Sequence, residues 1–239
     1  TGCSTTRAAG VRPEESAVGA KSAEKEAEVA RDRPTSALAY EHYLTARLMQ
    51  RAGRNREAIY QMRQALVYDH GNPYLHAQLG MLYAAEGLWR LAQEEAREAL
   101  AIDPDYVPAL LLSARAAQRS DKRERAVGLC ERVIALDPKR IEAYIRLAEI
   151  LHDQGDKERA LHVLTEMTDA NPASARGFKR LGDLYFERGE EKKAETCYRR
   201  VLQLDPSRTG TIETLASLLE SQGRYQEAIQ VFVEALETA

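Results

Sequence analysis

The stretch Arg125–Ala160, RAVGLCERVIALDPKRIEAYIRLAEILHDQGDKERA, begins and ends on the same dipeptide, Arg-Ala, set 34 residues apart. The spacing continues in both directions. Glu57-Ala58, Leu91-Ala92, Arg125-Ala126, Arg159-Ala160, Lys193-Ala194 and Glu227-Ala228 follow one another at 34-residue intervals without an insertion. A period of this length held over six registers marks a repeat architecture. Twelve residues before each alanine stands another small residue, in turn Ala46, Gly80, Ala114, Ala148, Gly182 and Ala216. Small side chains at one place on two successive helices let the backbones approach closely. Five residues before the alanine stand Gly53, Gly87, Asp121, Gly155, Gly189 and Gly223, where glycine takes the left-handed conformation that ends a helix. Twelve after it come Pro104, Pro138, Pro172 and Pro206, each preceded by Asp or Asn, where one helix must stop and the next begin. Each 34-residue unit is therefore read as a helical hairpin.

Composition agrees. The chain has 239 residues, 44% of them apolar, but with only three Phe and one Trp it is thin for one large core. Ala, Leu, Glu and Arg dominate, a helical composition. Charged residues make up 30% and nearly cancel, leaving −3. That balance gives no basic footprint for nucleic acid and no acidic tail. No run of about 18 apolar residues occurs, so no helix of this sequence spans a bilayer.

The pattern resembles the tetratricopeptide repeat (TPR). The family's aromatic and leucine places are filled by Tyr144, Phe178, Leu79, Leu147, Leu181, Tyr83, Tyr185, Tyr198 and Phe232, with Trp89 and Tyr225 where second helices begin. The resemblance covers residues 39–239. It implies an all-α fold, a right-handed superhelical solenoid of six TPR hairpins whose first helices line a concave side that binds peptide segments. Stacking explains how so few aromatics suffice, because each hairpin buries its apolar face only against its neighbours. Repeat 1 departs from the pattern with His70 in the proline place, and repeat 3 with Asp121 in the glycine place and Ser113 and Ala117 at core places. Repeat 3 is accordingly expected to be the most loosely packed. The domain plan is a lipidated segment and flexible tether over 1–34, followed by a TPR domain over 35–239.

Signatures of chemistry are missing: the sequence contains no GxxxxGK[ST], GxSxG or HExxH. The expectation is a non-enzyme without cofactor or metal. His42 and His76 share the fourth place of their repeats and, without a third ligand, are read as fillers of an aromatic place. Cys130 and Cys197 lie on second helices two repeats apart, too far for a disulfide, and are read as small buried hydrophobes.

Cys3 stands alone in a polar leader. Thr1-Gly2-Cys3 resembles the end of the signal-peptide box of bacterial lipoproteins, whose cysteine is acylated. Ser4 rather than Asp after it resembles the outer-membrane class, which implies a lipid-anchored protein on the periplasmic face of that membrane. Ser4 to Pro34 lacks large apolar residues and is read as a tether, a coil reaching on the order of 30–35 Å.

The expected partner-binding groove collects Tyr40, Tyr43, Arg47, Tyr74, Met81, Leu111 and Arg115 from the first helices of repeats 1 to 3. The corresponding places of the last three repeats, among them Ile145, Glu149, Asp183 and Glu213, carry mixed charge, with Glu149 and Asp183 read as rim residues. Aromatic and Arg side chains are the usual hot spots of interfaces. A second expected contact strip lies on the last helix, at Val231, Phe232, Val233 and Ala235, for a partner or a second copy, hence a possible homo-oligomer. Six TPRs on an outer-membrane lipoprotein resemble the pilotins of type IV pili, which help a secretin reach or assemble in that membrane. The alternative is an adaptor for a periplasmic protease, cell-wall or polysaccharide export machine. Either way the partner is an envelope protein, the membrane is reached only through the lipid, and nucleic acid is not involved.

Overall fold

The computed structural model describes residues 33–237. Cys3, Ser4 and almost all of the expected tether lie outside the described residues. Within them are twelve α-helices and no strand. They run α1 Ala37–Arg51, α2 Asn55–Tyr68, α3 Pro73–Ala85, α4 Trp89–Ile102, α5 Val107–Arg119 and α6 Arg123–Leu136. The rest are α7 Ile141–Asp153, α8 Lys157–Ala170, α9 Ala175–Glu187, α10 Glu191–Leu204, α11 Thr209–Ser221 and α12 Tyr225–Glu237. Two consecutive helices make one repeat, so the six expected hairpins are all present.

The turns inside the hairpins follow the sequence marks. Gly53, Gly87, Gly155, Gly189 and Gly223 have φ between 73° and 83°, and Asp121 at the same place has φ 54°. Asp and Asn enter this left-handed region at lower cost than other side chains, so the departure in repeat 3 changes the residue and keeps the turn. Several first helices are capped by side chains. Asn72 Oδ1 accepts from the amides of Tyr74 and Leu75, and Ser174 Oγ accepts from Gly177.

The chain divides into two compact units, one ending at Ala109 and the other starting at Leu110, so the division falls within α5. In the first unit α1 packs on α2, α2 on α3 and α3 on α4. Its core is made of small residues and leucines: Ala46, Ala58, Met62, Ala65, Leu75, Leu79 and Leu82, with Ala92, Ala96 and Ala99 from α4. The second unit continues neighbour on neighbour from α6 through α12. One cluster joins Cys130, Tyr144, Leu147, Ile150, Leu164, Met167 and Leu184, and another joins Tyr198, Ile212, Leu215, Leu219 and Val231. Ser113 and Ala117, the small residues of repeat 3, are buried.

The marker positions close the hairpins as their size requires. A methyl group added at Gly182 would stand 2.8 Å from Tyr198 Cε1 and 3.1 Å from Cys197 Cβ. Glycine at this place is what lets the tyrosine ring of the second helix lie against the first.

Candidate protein-binding surface

In the first unit three tyrosines gather on the first helices. Tyr40 and Tyr43 lie one turn apart on α1, with ring centroids 6.1 Å apart. Tyr43 meets Tyr74 of α3 edge to face at 5.4 Å, and their hydroxyls share a hydrogen bond. Tyr40 is exposed, while Tyr43 and Tyr74 are half-buried. One turn beyond Tyr43, Arg47 Nη1 donates to Gln50 Oε1 and Gln78 Oε1, each at 3.5 Å. Met81 is half-buried on α3. Gln78 was not singled out from the sequence, although its place one turn after Tyr74 carried the signal. The arrangement presents aromatic edges, hydroxyls and a guanidinium held by neutral amides, which suits an apolar segment bearing an acceptor.

The other two expected groove residues belong to the second unit. Leu111 is only 6% exposed, a core residue rather than a contact residue, and Arg115 is half-buried. Ile145 is likewise buried. A helix turns about 100° per residue, so a place read as facing outward falls inside when the helix rotates slightly against its neighbour. Elsewhere in this unit the first helices carry paired polar side chains. Arg180 Nη2 donates to Glu149 Oε1 at 2.9 Å, and His152 Nε2 lies 2.7 Å from Glu187 Oε2. Asp183 accepts from Lys179 Nζ at 2.6 Å and from the buried Tyr198 hydroxyl at 3.1 Å. Asp183 is therefore also a structural acceptor, held between Lys179 and the Tyr198 hydroxyl.

On α12 the expected strip is redistributed. Val231 is buried in the core cluster with α11, and Ala235 is half-buried beside it. Phe232 and Val233 are exposed, joined by Ile229 and Leu236, which the sequence reading passed over. Spacings of three and four residues put these four on one face.

The histidines turn toward their own second helices. His42 Nδ1 lies 2.7 Å from Gln61 Oε1, and its ring stacks on Tyr68 at 5.7 Å. His76 Nδ1 lies 2.7 Å from Glu95 Oε2, and its Nε2 lies 3.1 Å from the His70 carbonyl. Burial of the His76 ring works against the charged form. The hydrogen bonds to Glu95 and to the His70 carbonyl, with the charges of Glu95 and Glu98, outweigh it and raise the pKa above the usual imidazole value. Two acceptors on one ring call for two N–H groups, which only the imidazolium supplies. Burial pushes the Cys130 thiol up to about 12 and the Cys197 thiol up to about 11, so both behave as hydrophobes at neutral pH.

Paired helices, small-residue seams and an aromatic surface on first helices define an all-helical protein–protein interaction scaffold. Tetratricopeptide repeat models match residues 117–179, 175–208 and 211–239, together more than half of the chain, and the protein belongs to that family. Among curated proteins none matches at significance. Solved structures share the fold at low identity. Pseudomonas aeruginosa pilF is 18% identical with a TM-score of 0.68, covering 82% of this chain and 90% of its own. MamA from Desulfovibrio magneticus is 18% identical with a TM-score of 0.60, covering 73% of this chain and 98% of its own. A TPR protein of Thermus thermophilus is 17% identical with a TM-score of 0.61, covering 76% and 98%.

Proposed function

We propose that the protein is a pilotin-like outer-membrane lipoprotein, anchored through Cys3, that binds a segment of a type IV pilus secretin or a similar envelope protein and assists its assembly or localisation. The observation that carries the reading is the group Tyr40, Tyr43 and Tyr74 with Arg47 beside it, exposed or half-exposed on first helices. Supporting it are the resemblance of the tripeptide Thr1-Gly2-Cys3 to a lipoprotein box and the likeness in fold to pilF. The tyrosine pair is held in place before a partner arrives, so little side-chain entropy is lost on binding. An apolar partner segment would lie across the rings, with a carboxylate or carbonyl on Arg47. The apolar face of α12 serves as a second contact, for the same partner or for another copy.

Truncating one aromatic hot spot should cost about 2 kcal/mol, roughly a thirty-fold loss of affinity. Tyr43→Ala is to be compared with Glu213→Ala, an exposed charge of the second unit, for secretin multimers in the outer membrane and for binding in vitro. Circular dichroism checks that both variants are folded. Loss confined to Tyr43→Ala is expected. Equal loss in both would remove the tyrosine surface from the account, and normal multimers in a full deletion would leave an adaptor for a protease or an export machine in place of the pilotin.

A further inference from the structure

Phe232 on α12 is 43% exposed, whereas Cys130, Leu164 and Tyr198, at the same place in the preceding repeats, are at most 4% exposed. Leu48 on α1 is 66% exposed, whereas Ile150, Leu184 and Leu218 at its place are at most 5% exposed. These are the two halves of one kind of junction. Cys130 shares a core cluster with Leu147 and Ile150 of the next first helix, Leu164 with Leu181 and Leu184, and Tyr198 with Leu215 and Leu218. A second helix thus buries this place against the first helix that follows it. Among the described residues α12 has no helix after it and α1 has none before it.

We propose that a second copy of this chain covers both faces, with α12 of one copy packing on α1 of another as α10 packs on α11 within the chain. Phe232 then takes the part of Tyr198, and Leu48 of the other copy takes the part of Leu218. The contact joins unlike faces, so it is a heterologous interface in which one copy lends its last helix and the other its first.

Charge selects this occupant over a pairing of like faces. α12 carries Glu227 and Glu234 and no Lys or Arg, whereas α1 and the turn after it carry Arg47, Arg51 and Arg54 against the single acid Glu41. Two α12 helices set face to face would bring carboxylates together, and two α1 helices would bring guanidinium groups together. Only α12 on α1 sets acid against base, and complementary potentials of this kind fix which surfaces meet.

Two junctions inside the chain show how the surfaces fit. Where α8 meets α9, Met167 Cε stands 3.0 Å from the place of a methyl group added at Gly177, so a long side chain on the second helix requires glycine on the first. The counterparts between copies are Ala235 and Glu41, with the sizes exchanged: a half-buried alanine on α12 leaves room for the longer side chain on α1. The start of a second helix also meets the end of the following first helix. Asn55 Nδ2 donates to Glu86 at 2.8 Å, Lys157 Nζ lies 3.9 Å from Glu187, and Gln222 Nε2 donates to Glu191 at 2.8 Å. Tyr225, 63% exposed, stands at the place of Asn55, Lys157 and Glu191, and Arg51 stands at the place of Glu187. Between copies these two form a cation–π pair.

The inference rests on the proposed use of the α12 face as a contact and names its partner, while secretin binding and the lipid anchor stand or fall separately. The test is sedimentation equilibrium of the 239-residue chain over about 1 to 100 μM, since association follows mass action. The mean mass of the unmodified chain should rise with concentration to at least twice that of one copy. Phe232→Glu and Leu48→Glu, both at exposed positions, should each abolish the rise, with circular dichroism confirming that the helices are kept. Mixed in equal amounts, the two variants should form a one-to-one pair, because the first keeps an intact α1 face and the second an intact α12 face. An unmodified chain that stays monomeric overturns the proposal. So does continued self-association of Leu48→Glu, which would mean α12 on α12, or of Phe232→Glu, which would mean α1 on α1. Failure of the two monomeric variants to pair overturns it as well.

Discussion

Replacing Gly182 by alanine and, separately, Gly128 by alanine makes the same chemical change in two helix interiors of the second unit, and the structure assigns the two changes opposite consequences. Gly128, on α6, is exposed, and a methyl group there meets nothing within 4 Å. The substitution collects only the gain in helix propensity, about 0.8–1 kcal/mol. Gly182, on α9, receives the same gain, but its methyl would lie 2.8 Å from Tyr198 Cε1 and 3.0 Å from Cδ1. The ring has little room to retreat. Tyr198 is 1% exposed, its hydroxyl is tied to Asp183 at 3.1 Å, and Lys179 Nζ lies 5.4 Å from its centroid. Overpacking of this kind costs about 1–3 kcal/mol, so Gly182→Ala should end about 1–3 kcal/mol less stable than Gly128→Ala. Urea unfolding followed by far-ultraviolet circular dichroism measures both, with Gly128→Ala raising the midpoint above that of the unmodified chain. Gly182→Ala equal to or more stable than Gly128→Ala would refute the claim that glycine is kept at the first-helix seam to admit the tyrosine.

Asp121→Gly should raise stability by about 1 kcal/mol by removing the side chain from the left-handed region; the exposed Asp121–Arg123 pair that it loses is worth little, and a lower urea midpoint would count against the strain. For His76 the folded pKa is raised, so its stabilisation is fully present below the unfolded value of about 6.5 and is lost as pH rises through the higher folded value. The stability gap between the unmodified chain and His76→Gln should therefore be wider at pH 5.5 than at pH 8.5, and a gap independent of pH would contradict the charged ring. A thiol reagent at pH 8 should modify Cys130 and Cys197 only after unfolding, because burial raises both thiols; rapid reaction of either in the native state would show that the second helices open.

Repeat length, helix boundaries and the seam of small residues were legible in the sequence because local geometry fixes them. A left-handed turn selects Gly or Asp at places such as Gly53 and Asp121, a helix start selects proline or a capping side chain as at Asn72, and close helix approach selects alanine or glycine as at Ala58 and Gly182. These demands act on one residue at a time, and a period of 34 repeats them until they are unmistakable. The tyrosine places Tyr40, Tyr43 and Tyr74 were legible for the same reason.

Which side chains then meet was decided by tertiary structure alone. Tyr43 finding Tyr74, Asp183 holding the Tyr198 hydroxyl and Arg47 reaching Gln78 all depend on the rotation and offset of one helix against another. So do the burial of Leu111 and Val231 and the exposure of Ile229 and Leu236. Residues on a helix are separated by about 100°, so a small rotation that leaves the pattern of apolar and polar residues intact is enough to move a side chain between core and surface. The sequence sets each helix and its seam, while the packing of neighbouring helices sets which of the remaining side chains face a partner.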